Sequence, residues 1–214
     1  AVVYNSYGHI LESIENSSNI VKKNQIIFAG KPVAHKGIIE FISALPRVLN
    51  NHKDYTAVII GAFFSKKEKY AATIANLLES AEIKELISAK RIIFLKNLSP
   101  SEVFAKMSES KIAVIPTKTK EPFGLVCLEA HLAKCAVVSS KSGGLPEISG
   151  DNAIYLNPVS ATEIAKSIEY LIENPHILGK LAENGKIYAH DKFSPQVLVA
   201  ILDVMREEFL EYKN

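Results

Sequence analysis

Two cysteines among 214 residues, Cys127 and Cys135, are too few for a disulfide framework and fit a reducing compartment. No apolar run is long enough to span a bilayer, and no secretory signal pattern opens the chain. Strong charge of either sign is missing too. The net charge of +2 does not argue for nucleic acid, although weak attraction to acidic lipid stays open. Repeats, low-complexity tracts and long charge blocks are absent. So are two phosphate signatures, G-x-x-x-x-G-K-[ST] and a G-x-G-x-x-G after a strand. These absences set aside a membrane span, a disulfide-stapled domain, a P-loop and a conventional dinucleotide fold. What remains is ordinary globular composition, 48% hydrophobic and 22% charged, with ample chain for a buried core. The chain does not begin with Met, so a fragment or processed form is expected.

The pattern that is present is alternation. Residues 1–24 are polar, with Asn, Ser and Gly clusters, and read as an irregular linker. From residue 25, QIIFAG, YTAVIIGAF, RIIFLKN, KIAVIPT and AVVSSKSGG read as buried strands, with AIYLN as a sixth. Between them, Ile38, Phe41, Ile42, Leu45, Val48 and Leu49 recur at helical spacing, and Pro46 is expected to kink or break that helix. Residues 66–89 read as helical in two pieces. SPSEVFAKMSES enters a helix through Ser-Pro with Glu in its first turn, and FGLVCLEAHLAKC is another helix. Helices over 160–174 and 175–190 follow, and a last one starts at Ser194-Pro195. Alternation of this kind means βαβ crossovers. The fold expected is a doubly wound, Rossmann-like α/β domain over 25–193, with about six parallel strands covered on both faces and a C-terminal crossing helix over 194–214. Ligands in such folds sit beyond the carboxyl ends of the strands, so loops 30–37, 95–100, 117–124 and 139–147 are the candidates.

In GKPVAHKG, Gly30 ends a strand, and Lys31 and Lys36 bracket a turn into a helix. Two ammonium groups beside free N–H groups and the positive helix end suit an anion. Taken alone, lysines at a helix start read as solvated surface. In EPFGLVCLEA, Glu121 precedes a helix, and Glu129 lies about one and a half turns inside it. Gly124 leaves the backbone between them open to close approach. A diphosphate on the first amides, with a hydroxyl-bearing ring toward each carboxylate, matches the spacing, since carboxylates accept strongly from sugar hydroxyls. Two ordinary surface acids match it as well. One strand later, SSKSGGLPEI offers Gly143-Gly144 for positive φ and close backbone approach, a turn stiffened by Pro146, and a further acid in Glu147. Cys127, His131 and Cys135 repeat every four residues, but on a helix the outer two lie roughly 12 Å apart. Zinc bonds of about 2.0–2.3 Å cannot reach both, so this stripe reads as packing.

These segments, in order, resemble the carboxy-terminal half of the family 4 retaining glycosyltransferases, which have the two-domain GT-B fold. The resemblance runs through FAGKPVAHKG, IIFLKNLSPSEVFAKMSES, IAVIPTKTKEPFGLVCLEAHLAKCAVVSSKSGGLPEI and HDKFSP, with E-x(7)-E and its Phe-Gly the most specific part. VVYNS near the start resembles the connection from the amino-terminal half. The resemblance implies binding of a nucleotide-diphosphate sugar, UDP-, GDP- or ADP-linked. Lys31, where the family usually has Arg, and Lys36 would clamp the diphosphate. Glu121, as the catalytic-site acid, would touch the transferred sugar. The backbone around Gly30, Phe123, Gly124 and Leu125 would meet phosphates and sugar, Glu129 the ribose, and Leu98 the base. The family keeps the anomeric configuration and usually needs neither metal nor other cofactor. The acceptor, a surface glycan or glycolipid, would meet the amino-terminal domain. These residues alone are therefore expected to bind donor without transferring sugar, in the cytoplasm or peripherally on the inner face of the membrane.

Two other readings stay open: a noncatalytic partner-binding or regulatory module that keeps the fold, and a GT-B-like nucleotide-sugar epimerase or phosphorylase. The last helix carries Val197, Leu198, Ile201, Val204, Met205 and Phe209 at helical spacing. That face either meets the other domain or packs on its own sheet.

Overall fold

A computed structural model describes residues 4–17, 20–31, 33–61 and 71–212, with side chains described to residue 210. Its centre is a six-stranded parallel sheet in the order β3-β2-β1-β4-β5-β6. The strands are β1 Lys23–Ala29, β2 Thr56–Ile60, β3 Ile92–Leu95, β4 Ser110–Ile115, β5 Ala136–Ser140 and β6 Ala153–Leu156. Each expected apolar run supplies one strand. The buried stretches of β1, β2, β4 and β5 are mainly runs of Ile, Val, Ala and Phe, ended in β5 by Ser139-Ser140, because both faces of a parallel sheet are covered. Residues 62–70, including the start of the helical region expected from 66, lie outside the described residues.

One face is covered by α2 Ile38–Asn51, α3 Ala71–Leu78, α4 Ala81–Ser88 and α8 Ala161–Glu173. The other carries α5 Pro100–Glu109, α6 Leu125–Leu132, α7 Leu145–Ser149 and the end of α9 Pro175–Phe193. α2 does not break at Pro46. Phe41, Ile42, Leu45, Val48 and Leu49 are fully buried on both sides of it, and α8 packs alongside. Burial of these five side chains, at about 1.5–3 kcal/mol each, outweighs the roughly 3 kcal/mol that a proline inside a helix costs through its lost hydrogen bond and ring clash. α5 starts as expected: Glu102 N donates to Ser99 Oγ (3.3 Å) while Ser99 N donates to Glu102 Oε2 (2.7 Å).

Three elements differ from the sequence reading. Within the stretch read as irregular, Gly8–Ile10 forms a 3₁₀ turn that leads into α1 Leu11–Asn16. Its anchors are Tyr7 and Ile10, 2% and 1% exposed, in a cluster with Phe104, Met107 and Phe193. α6 stops at Leu132 rather than reaching Cys135. Lys134 takes the left-handed conformation (φ 59°), and Cys135 N donates to Ala130 O (2.9 Å), which closes the helix end. Finally, of the two placements left open for the last helix, packing on the sheet is not the one found: α10 Pro195–Tyr212 packs on α9, leaving Val204 and Phe209 more than half exposed. Among the described residues, no helix is long and apolar enough to cross a membrane.

Candidate functional site

β1 and β4 are neighbours, yet α2 after β1 covers one face and α6 after β4 covers the other. The loops therefore part between these strands, and a crevice opens beyond their carboxyl ends. Its two walls are tied together. Lys118 N donates to His35 O (2.7 Å), Lys118 Nζ donates to Glu40 Oε1 (2.6 Å), and Lys36 forms an ion pair with Glu121. The approach depends on Gly37, whose φ is 73° and where a Cβ would stand 2.1 Å from Pro116 O.

Glu121 is held from behind by the β5–α7 loop. Gly144 N donates to Glu121 O (2.8 Å) and Ser142 Oγ to Thr119 O (2.8 Å). A Cβ on Gly143, at φ 58°, would lie 2.1 Å from Glu121 O. The close approach allowed by the Gly-Gly pair is thus to the backbone of Glu121. Gly124, at φ 104°, precedes α6 and caps it with no side chain. The first amides of α6 consequently have no capping oxygen from that residue, and Leu125 and Val126 line the crevice.

Two adjoining hollows follow the strand ends. The larger, about 580 Å³, is lined by Lys31, Lys36, Glu121, Phe123, Gly124 and Leu125. The smaller, about 330 Å³, is lined by Ile60, Gly61, Leu98, Pro100, Val103 and Glu129. Gly30, with Ala29 and Val126, borders both. Gly30, Lys31, Lys36, Leu98, Glu121, Phe123, Gly124, Leu125 and Glu129 therefore lie along one groove, with Glu121 and Glu129 in different compartments, whereas Gly143, Gly144 and Glu147 line neither hollow. The Glu129 side chain is 14% exposed, and His9 Nε2 lies 2.9 Å from its Oε1. Burial raises its pKa, and the His9 contact offsets part of that rise.

Sequence reasoning missed His9, and it missed Asn5, His35 and Thr117 in the larger hollow. No periodic signal marks the first two: among the described residues of their segment, Tyr7 and Ile10 alone are fully buried.

Chemically, the larger compartment offers ammonium charge and helix-start amides to an anion. The smaller offers apolar walls and one carboxylate to a flat, hydroxylated group. A third hollow of about 700 Å³ lies between α9, α10 and Tyr4, away from the strand ends, and is mainly apolar. The Cys127–His131 pair is packing: both approach Ser149 Oγ, at 3.3 and 2.9 Å. Burial pushes the Cys127 thiol up to about 12 and His131 down to about 4, so neither is primed for chemistry near neutral pH. Cys135 Sγ instead donates to Met107 O (3.1 Å).

Residues 11–188 match the family profile described as glycosyl transferases group 1. Among curated relatives, a glycogen synthase of Mycobacterium tuberculosis is 29% identical over 153 residues, covering 71% of this chain and 34% of that protein. The C-terminal domain of a glycosyl transferase group 1 family protein (LpcC) from Francisella tularensis is 28% identical. It superposes with a TM-score of 0.68 over 90% of this chain and 97% of that one. Anabaena HepE, solved in complex with UDP-glucose, shares the fold at 21% identity and a TM-score of 0.73, over 99% of this chain and 57% of that one. The chain spans between about a third and a half of the length of the curated relatives it matches.

Proposed function

The chain belongs to the glycosyl transferases group 1 family, and from that premise we propose that it is the donor-binding domain of a retaining, family 4 hexosyltransferase. Its ligand is a nucleotide-diphosphate sugar. The observation that carries this reading is the pairing of Lys36 with Glu121 across the crevice beside the uncapped start of α6. In this account the diphosphate lies on the amides around Phe123, Gly124 and Leu125, with Lys31 and Lys36 beside it and Gly30 beneath. Glu121 accepts from the hydroxyls of the transferred sugar, Glu129 accepts from the ribose, and Leu98 packs on the base. Support for the ligand class comes from HepE, whose structures hold UDP and UDP-glucose.

Departure of the nucleoside diphosphate builds negative charge on phosphate oxygens, and the two lysines stabilise it without a metal. The acceptor class is a surface glycan or glycolipid, met by the other domain of a GT-B enzyme. These residues supply donor binding, and transfer requires that second domain. A thermal melt with UDP, GDP and ADP tests the reading. Ligand at a hundred times its dissociation constant adds about 2.7 kcal/mol, or roughly 5–10 °C in Tm for a chain of this size. A rise with one of the three supports donor binding. No rise with any of them at millimolar concentration overturns it and favours a noncatalytic module.

A further inference from the structure

The segment before β1 does more than lead into the sheet. Tyr7 and Ile10 are sunk in the core, and Tyr4 packs its ring edge-on against Phe193 (centroids 5.4 Å apart) while donating from its hydroxyl to Glu147 Oε2 (2.8 Å). Between these anchors the segment touches both compartments: Asn5 lines the larger, and His9 meets Glu129 in the smaller. His9 is held from both sides, since Tyr7 and Ile10 fix the backbone within two residues of it. Its ring is 40% exposed, whereas the carboxylate it binds is 14% exposed.

We infer that His9 is a positioning residue for the ribose subsite, acting through Glu129. This rests on the donor-binding reading above. A glutamate has three rotatable side-chain bonds, and a buried one must be fixed to offer its oxygens to a vicinal diol. Among the described residues, His9 is the one side chain hydrogen-bonded to Glu129. Its Nε2–H engages Oε1 and leaves Oε2, together with the remaining lone pair of Oε1, for two ribose hydroxyls. Leu98 and Pro100 line the same hollow, where the attached base would lie. The contact also keeps the carboxylate ionised, and therefore accepting, against the burial that favours its neutral form. The ligand feature that His9 reads is thus the 2′,3′-diol, which separates ribonucleotides from their deoxy counterparts.

The test uses the whole chain with His9→Ala and His9→Gln, the latter keeping an N–H donor of similar reach. Melting temperatures without ligand are read first. Should His9→Ala unfold, His9→Leu takes its place, keeping bulk without the donor. Affinities are then measured by calorimetry for UDP, GDP and ADP and for their 2′,3′-dideoxy forms. A hydrogen bond to a charged group is worth about tenfold or more, so the wild type should prefer the ribose form by at least that factor. His9→Ala should bring the ratio near one by weakening ribonucleotides alone, and His9→Gln should restore most of it. An unchanged ratio, an equal loss for both ligand forms, or tighter ribonucleotide binding in His9→Ala overturns the inference. The last result would mean that His9 competes with ribose. A wild type that binds all forms without preference also overturns it, while leaving diphosphate binding intact. A wild type that binds none sinks the donor-binding reading, and His9 with it.

Discussion

The two compartments of the groove differ in how their carboxylates are kept. In the larger, Glu121 is paired with Lys36 from the opposite wall, and its backbone is clamped by Gly143 and Gly144. In the smaller, Glu129 sits on a regular helix among apolar neighbours and is met by His9 from a distant part of the chain. The first compartment is therefore built from charge and backbone, the second from shape and one buried acid. A charged diphosphate suits the former and a nucleoside the latter. The orientation of the proposed donor follows from that difference, sugar toward Glu121 and base toward Leu98.

The clamp gives the largest expected effect. Gly143→Ala forces a side chain into the left-handed region and against Glu121 O, costing on the order of 3 kcal/mol and displacing Glu121. Urea melts should show that loss together with loss of nucleoside diphosphate binding. Gly179→Ala, where a Cβ would meet nothing within 4 Å on α9, should be neutral or stabilise by up to about 1 kcal/mol. Equal stability of the two variants would break the distinction.

Next in size, Lys36→Ala should weaken UDP and free pyrophosphate alike, by about tenfold or more, because it removes charge from the diphosphate. Glu129→Ala should weaken UDP by a similar factor and leave pyrophosphate unchanged. Calorimetry with both ligands checks the split, and a parallel loss in both variants would merge the compartments into one. Acidification sharpens the same contrast. The pKa of Glu129 is raised above the ordinary 4.5, so the accepting carboxylate is lost as pH falls through that raised value. UDP affinity should then drop by at most about tenfold per pH unit, the slope of one proton. Pyrophosphate, which shares the phosphate protonation of UDP but does not reach Glu129, should lack this part of the loss. The smallest effect belongs to Lys31→Arg. A planar fork in place of an exposed ammonium should tighten diphosphate binding about two- to fivefold, measured by the same titration.

Much of this architecture could be read in the sequence because it rests on local pattern. The six apolar runs and the helices between them mark a parallel sheet, and the loop positions follow from that topology. Lys31, Lys36, Glu121 and Gly124 could be named because they flank strand ends, where ligands meet such sheets. What escaped depends on tertiary placement. Pro46 is expected to kink or break α2; the helix runs through it unbroken, because buried residues on either side hold it together. His9 lies 120 residues from Glu129 in a stretch where, among the described residues, two are fully buried, and no periodicity exposes it. The Gly143-Gly144 turn is visible as a turn, but only the fold shows that Glu121's backbone fills the space a Cβ would take.

The most direct test is to locate the ligand by amide NMR, titrating UDP or whichever nucleoside diphosphate raises the melting temperature. The account predicts that the strongest shifts fall on Lys36 and on the amides of Phe123, Gly124 and Leu125, with a second group at Leu98 and Glu129. Shifts confined to Ile187, Lys192 and Ile201, around the third hollow between α9 and α10, would contradict it.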